Sequence, residues 1–171
     1  MRVVVATVVH RPDDARIYHR QVAALLDAGH EVVYLAPVPM LDPPCPGVFR
    51  HRRVPRAEGR HRVRALFAAY RALWTESRLA DLVIVHDPEL TLAASAIRAP
   101  RIWDVHEDLQ AQVEDKKWIP RAVAPMARVA ARLLELVGSR YFVPMLAESG
   151  YSDRFPGALV VRNLPVVPAS V

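Results

Sequence analysis

Residues 81–90 read DLVIVHDPEL, an apolar run that is followed at once by polar and charged side chains. The run from Leu82 to Val85 shows no alternation of apolar and polar residues, which is typical of a strand that is covered on both faces of its sheet. Strands of that kind belong to parallel sheets that carry a helical layer on each side. The stretch therefore predicts an α/β fold, and it marks a point where a strand leaves the core.

The same succession of apolar strands and periodic helices continues in both directions from this stretch. Seven strands are predicted, at Arg2–Val9, Glu31–Ala36, Val48–Val54, Leu82–Val85, Ile102–Val105, Tyr141–Val143 and Leu159–Val161. Helices are predicted at Ala15–Ala28, Arg62–Arg78, Glu89–Arg98, a long stretch opened by Pro120, and about Leu146–Phe155. We therefore expect an α/β fold with a doubly wound, mostly parallel sheet of about seven strands and helices on both faces.

Two of these helices carry apolar stripes that we expect to pack against the sheet. The stripe of the Arg62–Arg78 helix consists of Val63, Leu66, Phe67, Tyr70 and Trp74, and that of the long helix of Met126, Ala130, Leu133 and Val137. The face of the long helix opposite its stripe carries Arg121, Arg128 and Arg132. This arginine face predicts either a solvated surface or a peripheral contact with anionic lipid.

The composition is that of an ordinary globular domain. The chain has 171 residues, of which 52% are hydrophobic and 24% charged, and no apolar run reaches the length of a membrane span. Its single cysteine, Cys45, excludes an internal disulfide framework and favours the cytoplasm, with the inner face of the membrane as a further possibility. The net charge of +5 indicates either compositional bias towards arginine or attraction to phosphate groups.

Polar residues follow three of the predicted strands, and parallel sheets bind ligands at that edge. The candidate binding residues are His10, Arg11, Asp14, Arg16, His86 and Asp87, and the candidate catalytic residues are Asp104, His106 and Glu107. Structural alternatives stay open for several of them. Asp14 and Asp87 are suitable helix N-caps, and the histidines suit a core in which their ring nitrogens are paired. Asp104 lies inside a strand, so it must be paired or lie at the rim.

Several common chemistries have no matching motif in the chain. The patterns GxGxxG, GxxxxGK[ST], GxSxG and HExxH are absent from the sequence. We therefore expect neither a dinucleotide cofactor nor a metal, and the residue patterns suggest no nucleic-acid partner.

Five segments together resemble a known family. They are VVHRPDDARIYHRQVAALLDAGHEVVYLAP, IVHDPEL, IWDVHEDLQ, WIP and VVRNLP, in this order along almost the whole chain. The set resembles the N-terminal, acceptor-side domain of GT-B glycosyltransferases of family 4, in particular enzymes of cell-surface glycan and polysaccharide synthesis. The resemblance implies a Rossmann-like domain of an enzyme that moves a sugar from a nucleotide sugar to an acceptor hydroxyl with retention of configuration. The acceptor would be a glycan, a lipid-linked compound or a small molecule.

The resemblance also implies roles for individual residues. His106 would contact the transferred sugar, and Glu107 or Asp104 would orient its ring. The first loop lacks the glycines that many members of the family have there, so Arg11 or Arg16 would face the donor diphosphate. His86 and Asp87 match the strand-end motif one strand earlier, and the loop from His10 to Arg16, which includes Asp14, matches the first substrate loop.

The resemblance further implies a division of the chain. Residues 1–164 would form the Rossmann-like domain and residues 165–171 the start of an interdomain linker, with the donor-binding domain absent. We therefore expect the 171-residue chain alone to be inactive, because donor and acceptor must be held together. Two alternatives stay open, namely half of a sugar-nucleotide epimerase of the same fold, and a non-catalytic module that binds through its arginine-rich surface.

Overall fold

The computed structural model describes residues 1–37, 41–111 and 123–162, and within these ranges seven strands form one sheet. The strands are β1 (Arg2–Ala6), β2 (Glu31–Pro37), β3 (Phe49–Val54), β4 (Leu82–Val85), β5 (Arg101–Val105), β6 (Val143–Leu146) and β7 (Leu159–Val160). Their spatial order is β3-β2-β1-β4-β5-β6-β7, and every neighbouring pair is parallel. The predicted α/β fold with a Rossmann-like parallel sheet is confirmed, and the arginine-rich third strand lies at an edge.

Helices cover both faces of this sheet. On one face a π-helix, Ile17–Val22, continues directly into α1 (Ala23–Asp27). On the other face lie α2 (Arg62–Glu76), a 3₁₀ segment (Pro88–Ala96) and α3 (Ala124–Tyr141). Three short 3₁₀ turns are also described, at Gly59–His61, Ser77–Leu79 and Ser152–Arg154.

The strands lack an alternation of apolar and polar residues because both faces of the sheet are covered. In β1, Val3 and Val5 face the layer of the π-helix, whereas Val4 and Ala6 face the layer of α2 and α3. Each residue is therefore buried whichever way its side chain points. Burial of both faces requires an apolar residue at every position, which is the pattern that the sequence displays.

The helices α2 and α3 turn their small residues towards the sheet, contrary to the predicted stripes. In α2 the buried face consists mainly of alanines, while Val63 is 80%, Phe67 72% and Trp74 50% exposed. In α3 the predicted core residues Met126 and Leu133 are likewise exposed. The prediction is therefore wrong for Val63, Phe67, Trp74, Met126 and Leu133, although Leu66 and Tyr70 of the α2 stripe do pack against the core. Small residues allow the helices to approach the sheet closely, so the large ones are left outside.

Gly138 shows how close that approach is. A β-carbon built on Gly138 of α3 would lie 2.2 Å from Cε3 of Trp103, the largest fully buried side chain. The Trp103 ring also packs edge-on against Phe155, with the ring centroids 5.7 Å apart. The indole therefore fills the space where a larger residue of α3 would otherwise lie.

Some predicted boundaries also differ from the structure. β1 ends at Ala6 instead of Val9, and β6 begins at Val143 instead of Tyr141. The predicted helix near Leu146–Phe155 is wrong, because only the turn Ser152–Arg154 is helical there. The positions of Pro120, Arg121 and the predicted linker at 165–171 lie outside the described residues. Among the helices of the described ranges, none has the length and apolar character that crossing a membrane requires.

Candidate functional site

The carboxyl ends of β1, β4 and β5 bring three histidines together. These strands are direct neighbours in parallel register, so the residues that follow them meet at one edge of the sheet. The rings of His10 and His106 have centroids 4.5 Å apart, and Nδ1 of His86 lies 2.9 Å from Nε2 of His106. All three line one cavity. The predicted meeting of the three histidines is therefore confirmed, while their roles in binding or catalysis stay predictions.

Asp104 is the buried acid at the centre of this cluster. It projects from β5 on the side of the π-helix and is fully buried. Arg16 donates to both of its carboxylate oxygens, from Nε at 3.0 Å and from the terminal nitrogen at 2.7 Å. Gln21 adds a third hydrogen bond, at 3.2 Å to Oδ2. The carboxylate is therefore held in a fixed orientation by two side chains of one helix.

The π-helix explains why Arg16 and Gln21 reach the same carboxylate. The two residues are five positions apart, and the amide of Gln21 donates to the carbonyl of Arg16 at 3.0 Å, which is the π-type hydrogen bond. In a regular α-helix residues five apart point about 140° away from each other. The wider turn brings them closer to one side. Short π-helical segments are frequent at functional sites for this kind of reason.

The histidines and Arg16 determine the charge state of Asp104. Burial alone disfavours the carboxylate, but the neighbouring His106 ring and the hydrogen bonds from Arg16 outweigh it and hold the pKa of Asp104 well below its usual range. Oδ2 of Asp104 is 3.5 Å from Nδ1 of His86 and 3.6 Å from Nε2 of His106. The site therefore contains a buried carboxylate, paired with Arg16, next to two imidazole rings.

His86 and His106 differ in their access to solvent. Complete burial lowers the pKa of His86 well below its ordinary value, and this effect outweighs the attraction of Asp104. His86 is therefore a neutral ring at neutral pH. The side chain of His106 is 14% exposed, and it lies between Asp104 and the cavity. Of the two rings that contact Asp104, His106 is the one that a ligand can reach.

Asp87 organises the loop that carries His10. Its Oδ2 accepts hydrogen bonds from the hydroxyl of Thr7 and from the amides of Val8 and Val9, directly after β1. Its other oxygen lies 3.5 Å from Nε2 of His10. Because Asp87 is 1% exposed and fully engaged, its contacts are structural: it fixes the first loop and positions His10.

The remaining predicted residues divide into structural and exposed ones. Asp14 accepts hydrogen bonds from the amides of Arg16 and Ile17, so it caps the start of the π-helix. Arg11 is exposed and pairs with Asp13. Arg16 is 7% exposed, and its guanidinium binds two groups of the domain itself, the carboxylate of Asp104 and the carbonyl of Val161. The geometry does not support the expected contact of Arg16 with a diphosphate, since its guanidinium is already bound.

Glu107 and Asp104, between which the sequence left the orienting role open, differ in their contact with His106. Glu107 lines the cavity but its side chain is exposed, whereas Asp104 lies directly against the His106 ring. The geometry therefore favours Asp104 over Glu107 for orienting His106, and this role stays a prediction. Gln21 and Trp103, which sequence reasoning missed, complete the surroundings of the site. Gln21 was missed because only the π-helical turn brings it to Asp104. Trp103 was missed because the sequence does not distinguish a tryptophan in a strand from an ordinary core residue.

The cavity that the three histidines line has a volume of about 420 Å³, within the range that small-molecule sites occupy. Its apolar side is formed by Trp103 and Leu134, and its polar side by the histidines. Arg62, the first residue of α2, and Glu89 form an ion pair at this cavity. An apolar wall that faces a few convergent polar groups suits a ligand that has both a hydrocarbon face and hydroxyl groups.

His86, Asp104 and His106 are also residues of the types that bind metal ions. One ligand atom from each of His86, Asp104 and His106 lies within 4.8 Å of the others, and tetrahedral zinc places its ligand atoms about 3.3 Å apart. However, both oxygens of Asp104 already accept from Arg16, whose positive charge disfavours a divalent cation at the same carboxylate. The donor set therefore fits a hydrogen-bonded network better than a metal centre.

Comparison with models of known protein families found no match for this chain, and comparison with curated proteins likewise found none. The class that the fold and the site define is a Rossmann-like α/β domain with a histidine-lined cavity at the carboxyl edge of its sheet.

Proposed function

We propose that this chain is the acceptor-side domain of a retaining glycosyltransferase of the GT-B type, acting in cell-surface glycan or polysaccharide synthesis. The observation that carries the proposal is the position of His106, which lies between a buried, ionised Asp104 and a cavity of sugar size. Sequence motifs and fold support it, because three of the segments that carry the resemblance supply residues that meet at this site. Here HDPE supplies His86 and Asp87, and DVHE supplies Asp104 and His106.

The proposed chemistry follows from the geometry of the cluster. As a glycosidic bond to a nucleotide breaks, the anomeric centre of the sugar becomes positively charged. A hydrogen bond between His106 and a sugar hydroxyl would hold the ring in place during this step, and Asp104, whose charge Arg16 compensates, would keep the imidazole in the orientation that this contact needs. Arg16 and Gln21 are positioning residues in this scheme, because they act through Asp104.

The partners of the domain follow from the same proposal. The nucleotide-sugar donor would be bound mainly by a second domain, and the loop of His10 and Arg11 would face its diphosphate. With Arg16 buried, the exposed Arg11 is the cation of that loop that remains for a phosphate. The half-buried Cys45 is a free thiol, which suits a reducing cytoplasm. The domain alone should bind sugars without transferring them.

Ligand binding at the cavity tests the proposal. The purified chain is titrated with UDP-glucose, GDP-mannose and a panel of methyl glycosides, while the ring signals of the histidines are followed by NMR. We expect saturable binding that shifts the signals of His10, His86 and His106. The variant His106→Ala should weaken binding by about tenfold or more, as the loss of a hydrogen bond to a ligand in a partly desolvated site predicts.

The matched control is His30→Ala, which removes a histidine directly before β2, at the opposite edge of the sheet. This variant should bind like the unmodified chain. Failure of every sugar and nucleotide sugar to bind would overturn the proposal. Equal binding by His106→Ala and the unmodified chain would remove His106 from the site.

A further inference from the structure

A run of arginines begins in the edge strand β3 and continues into the start of α2. Residues 53–64 read RVPRAEGRHRVR, and Glu58 is the single acid of this stretch. Arg53, Arg56, Arg60 and Arg62 are all exposed. We call these four residues the arginine strip. Like charges that follow one another so closely give the surface that they share a positive potential.

The arginine strip lies at the same edge of the sheet as the cavity. β3 runs parallel to its neighbour β2 and ends at Val54, so Arg53 lies near the carboxyl edge. From there the chain crosses the ends of the inner strands, because the amide of Ala57 donates to the carbonyl of Val8, just after β1, at 2.9 Å. It then reaches Arg62, which lines the cavity. The strip therefore leads from the outer strand of the sheet to the cavity.

Two other arginines of β3 have a structural role instead. Arg50 and Arg52 both pair with Glu76, the last residue of α2, which is 5% exposed. A buried acid of this kind needs such partners, and the contacts hold the edge strand against the helix. These arginines are therefore already engaged, which limits the available cations of this region to the strip.

The guanidinium groups of the strip are held only weakly by the domain itself. Within residues 1–37, 41–111 and 123–162, no acid pairs with Arg53 or Arg60. Arg56 lies 3.6 Å from Glu58, and the two side chains are 44% and 75% exposed. An exposed pair contributes little to stability, so an anionic ligand can replace it at small cost. Three arginines of the strip are therefore available to a ligand.

We propose that the arginine strip binds the anionic groups of a linear glycan whose terminal sugar lies in the cavity. The inference rests on the proposed function, and it names the acceptor as a glycan that carries carboxylate, sulfate or phosphate groups on its repeating units. Guanidinium groups bind such oxyanions through two parallel hydrogen bonds. The cavity would hold the last sugar, and the strip would hold the units that precede it.

The position of the strip sets a minimum length for this ligand. β2 and β1 separate β3 from β4, which at the usual spacing of strands places β3 about 14 Å from β4. A single sugar that fills the cavity does not extend over this distance, whereas a chain of several sugars does. An oligomer should therefore bind more tightly than a short fragment of the same composition.

Single-stranded nucleic acid is the other polymer of negative charge that an arginine surface can bind. Proteins that bind it combine a basic groove with aromatic side chains on which the bases stack. Residues 53–64 include no phenylalanine, tyrosine or tryptophan. The cavity at the end of the strip also presents polar groups beside an apolar wall, which suits a sugar. Both observations favour a glycan.

Fluorescence anisotropy with labelled oligogalacturonates tests the inference. The probes are the octamer, the dimer and the methyl-esterified octamer, which is neutral, each at low and high salt. We expect the octamer to bind most tightly and to lose affinity at high salt, because salt screens the arginines. The variant Arg53→Gln/Arg56→Gln/Arg60→Gln should lower this affinity by about tenfold or more, since each exposed contact contributes about two- to fivefold.

The matched control removes three positive charges elsewhere. Arg71→Gln/Arg98→Gln/Arg140→Gln replaces exposed arginines within α2 and shortly before β5 and β6, away from the carboxyl edge. This variant should bind the octamer nearly as the unmodified chain does. Equal loss in the two triple variants would overturn the inference, because the net charge alone would then explain binding. Tighter binding of single-stranded DNA of equal charge would overturn it as well and assign the strip to nucleic acid.

Two further results separate this inference from the proposed function. Binding of methyl glycosides without any preference for the charged octamer over its neutral ester would overturn the inference and leave the proposed function intact. Binding of the octamer through the strip without a shift in the ring signals of His10, His86 and His106 would contradict the proposed function. The placement of the terminal sugar in the cavity would then be wrong as well.

Discussion

Arg16 and Asp104, 88 positions apart in the chain, form a bidentate ion pair that joins the π-helix to β5 beneath the site. Side-chain exposure is 8% for Arg16 and zero for Asp104, so water screens the pair very little. Arg16 also donates to the carbonyl of Val161 after β7, at 3.0 Å. One guanidinium therefore ties the first helix to two separate parts of the sheet, and the same contact orients the acid that faces His86 and His106.

We expect Arg16→Ala to lower the free energy of unfolding by about 3–5 kcal/mol, because it leaves Asp104 buried without its partner. The double variant Arg16→Met/Asp104→Leu should recover much of this loss, since two apolar side chains need no compensating charge. Urea denaturation of the unmodified chain, the double variant and its two single variants, Arg16→Met and Asp104→Leu, measures the coupling. Arg11→Ala, which breaks the exposed pair with Asp13, is the control and should leave stability nearly unchanged. Strictly additive effects of the two substitutions would contradict the assignment.

The burial of His86 predicts a loss of stability in acid. Its pKa in the folded chain is lowered, so between that value and the ordinary 6.5 the unfolded chain binds the proton and the folded chain does not. The free energy of unfolding must therefore fall as the pH decreases below about 6.5. Asp104, whose pKa is also lowered, adds a second loss below its ordinary 3.8, as the pH falls through the folded value.

Urea denaturation at pH 7.5 and pH 5.5 measures the contribution of His86. The difference between the two pH values should be smaller in His86→Gln than in the unmodified chain, because glutamine does not titrate. His30→Gln replaces a partly exposed histidine and should leave the difference nearly unchanged. A difference that is the same in all three proteins would show that His86 is not the group that responds.

The strands and the meeting of the histidines could be predicted because they depend on local patterns and on topology. An apolar run such as Leu82–Val85 is buried on both faces wherever it lies in the interior, and neighbouring parallel strands must deliver His86 and His106 to one edge. The function of Arg16 could not be predicted in the same way. Its partner Asp104 is distant in sequence, and a loop arginine near a strand end is equally suited to bind phosphate.

The prediction of which helical residues face the core was partly wrong, for a different physical reason. Amphipathic patterns identify the face that carries the large apolar residues, and we expected Phe67 and Leu133 to be internal on that basis. In α2 and α3 the alanines and Gly138 make the contact with the sheet instead. Alanine contributes little to the hydrophobic pattern of a helix. In the sequence, a buried face made of alanine and glycine therefore cannot be distinguished from a solvent-exposed face.

Gly138→Ala should destabilise the domain although alanine is the better helix former. Its β-carbon would lie 2.2 Å and 2.4 Å from two carbons of the Trp103 ring, which Phe155 holds from another side. Overpacking of this kind costs about 1–3 kcal/mol, against a gain of about 1 kcal/mol in helix propensity. We expect a lower Tm and an altered near-ultraviolet circular dichroism signal of tryptophan. Gly150→Ala, where no atom lies within 4 Å of the new carbon, should change neither.

Asp87→Ala should loosen the loop that carries His10. The substitution leaves the amides of Val8 and Val9 without their acceptor, and an orphaned buried amide such as that of Val8 costs about 1–3 kcal/mol. Hydrogen exchange should therefore accelerate at these two amides more than in the interior of β1, and Asp87→Asn should restore part of the protection because it keeps one acceptor oxygen. The control Asp13→Ala removes an exposed carboxylate of the same loop and should leave both amides protected. Unchanged exchange at Val8 and Val9 in Asp87→Ala would mean that the carboxylate does not hold the loop, and that His10 is positioned by its contact with the ring of His106 instead.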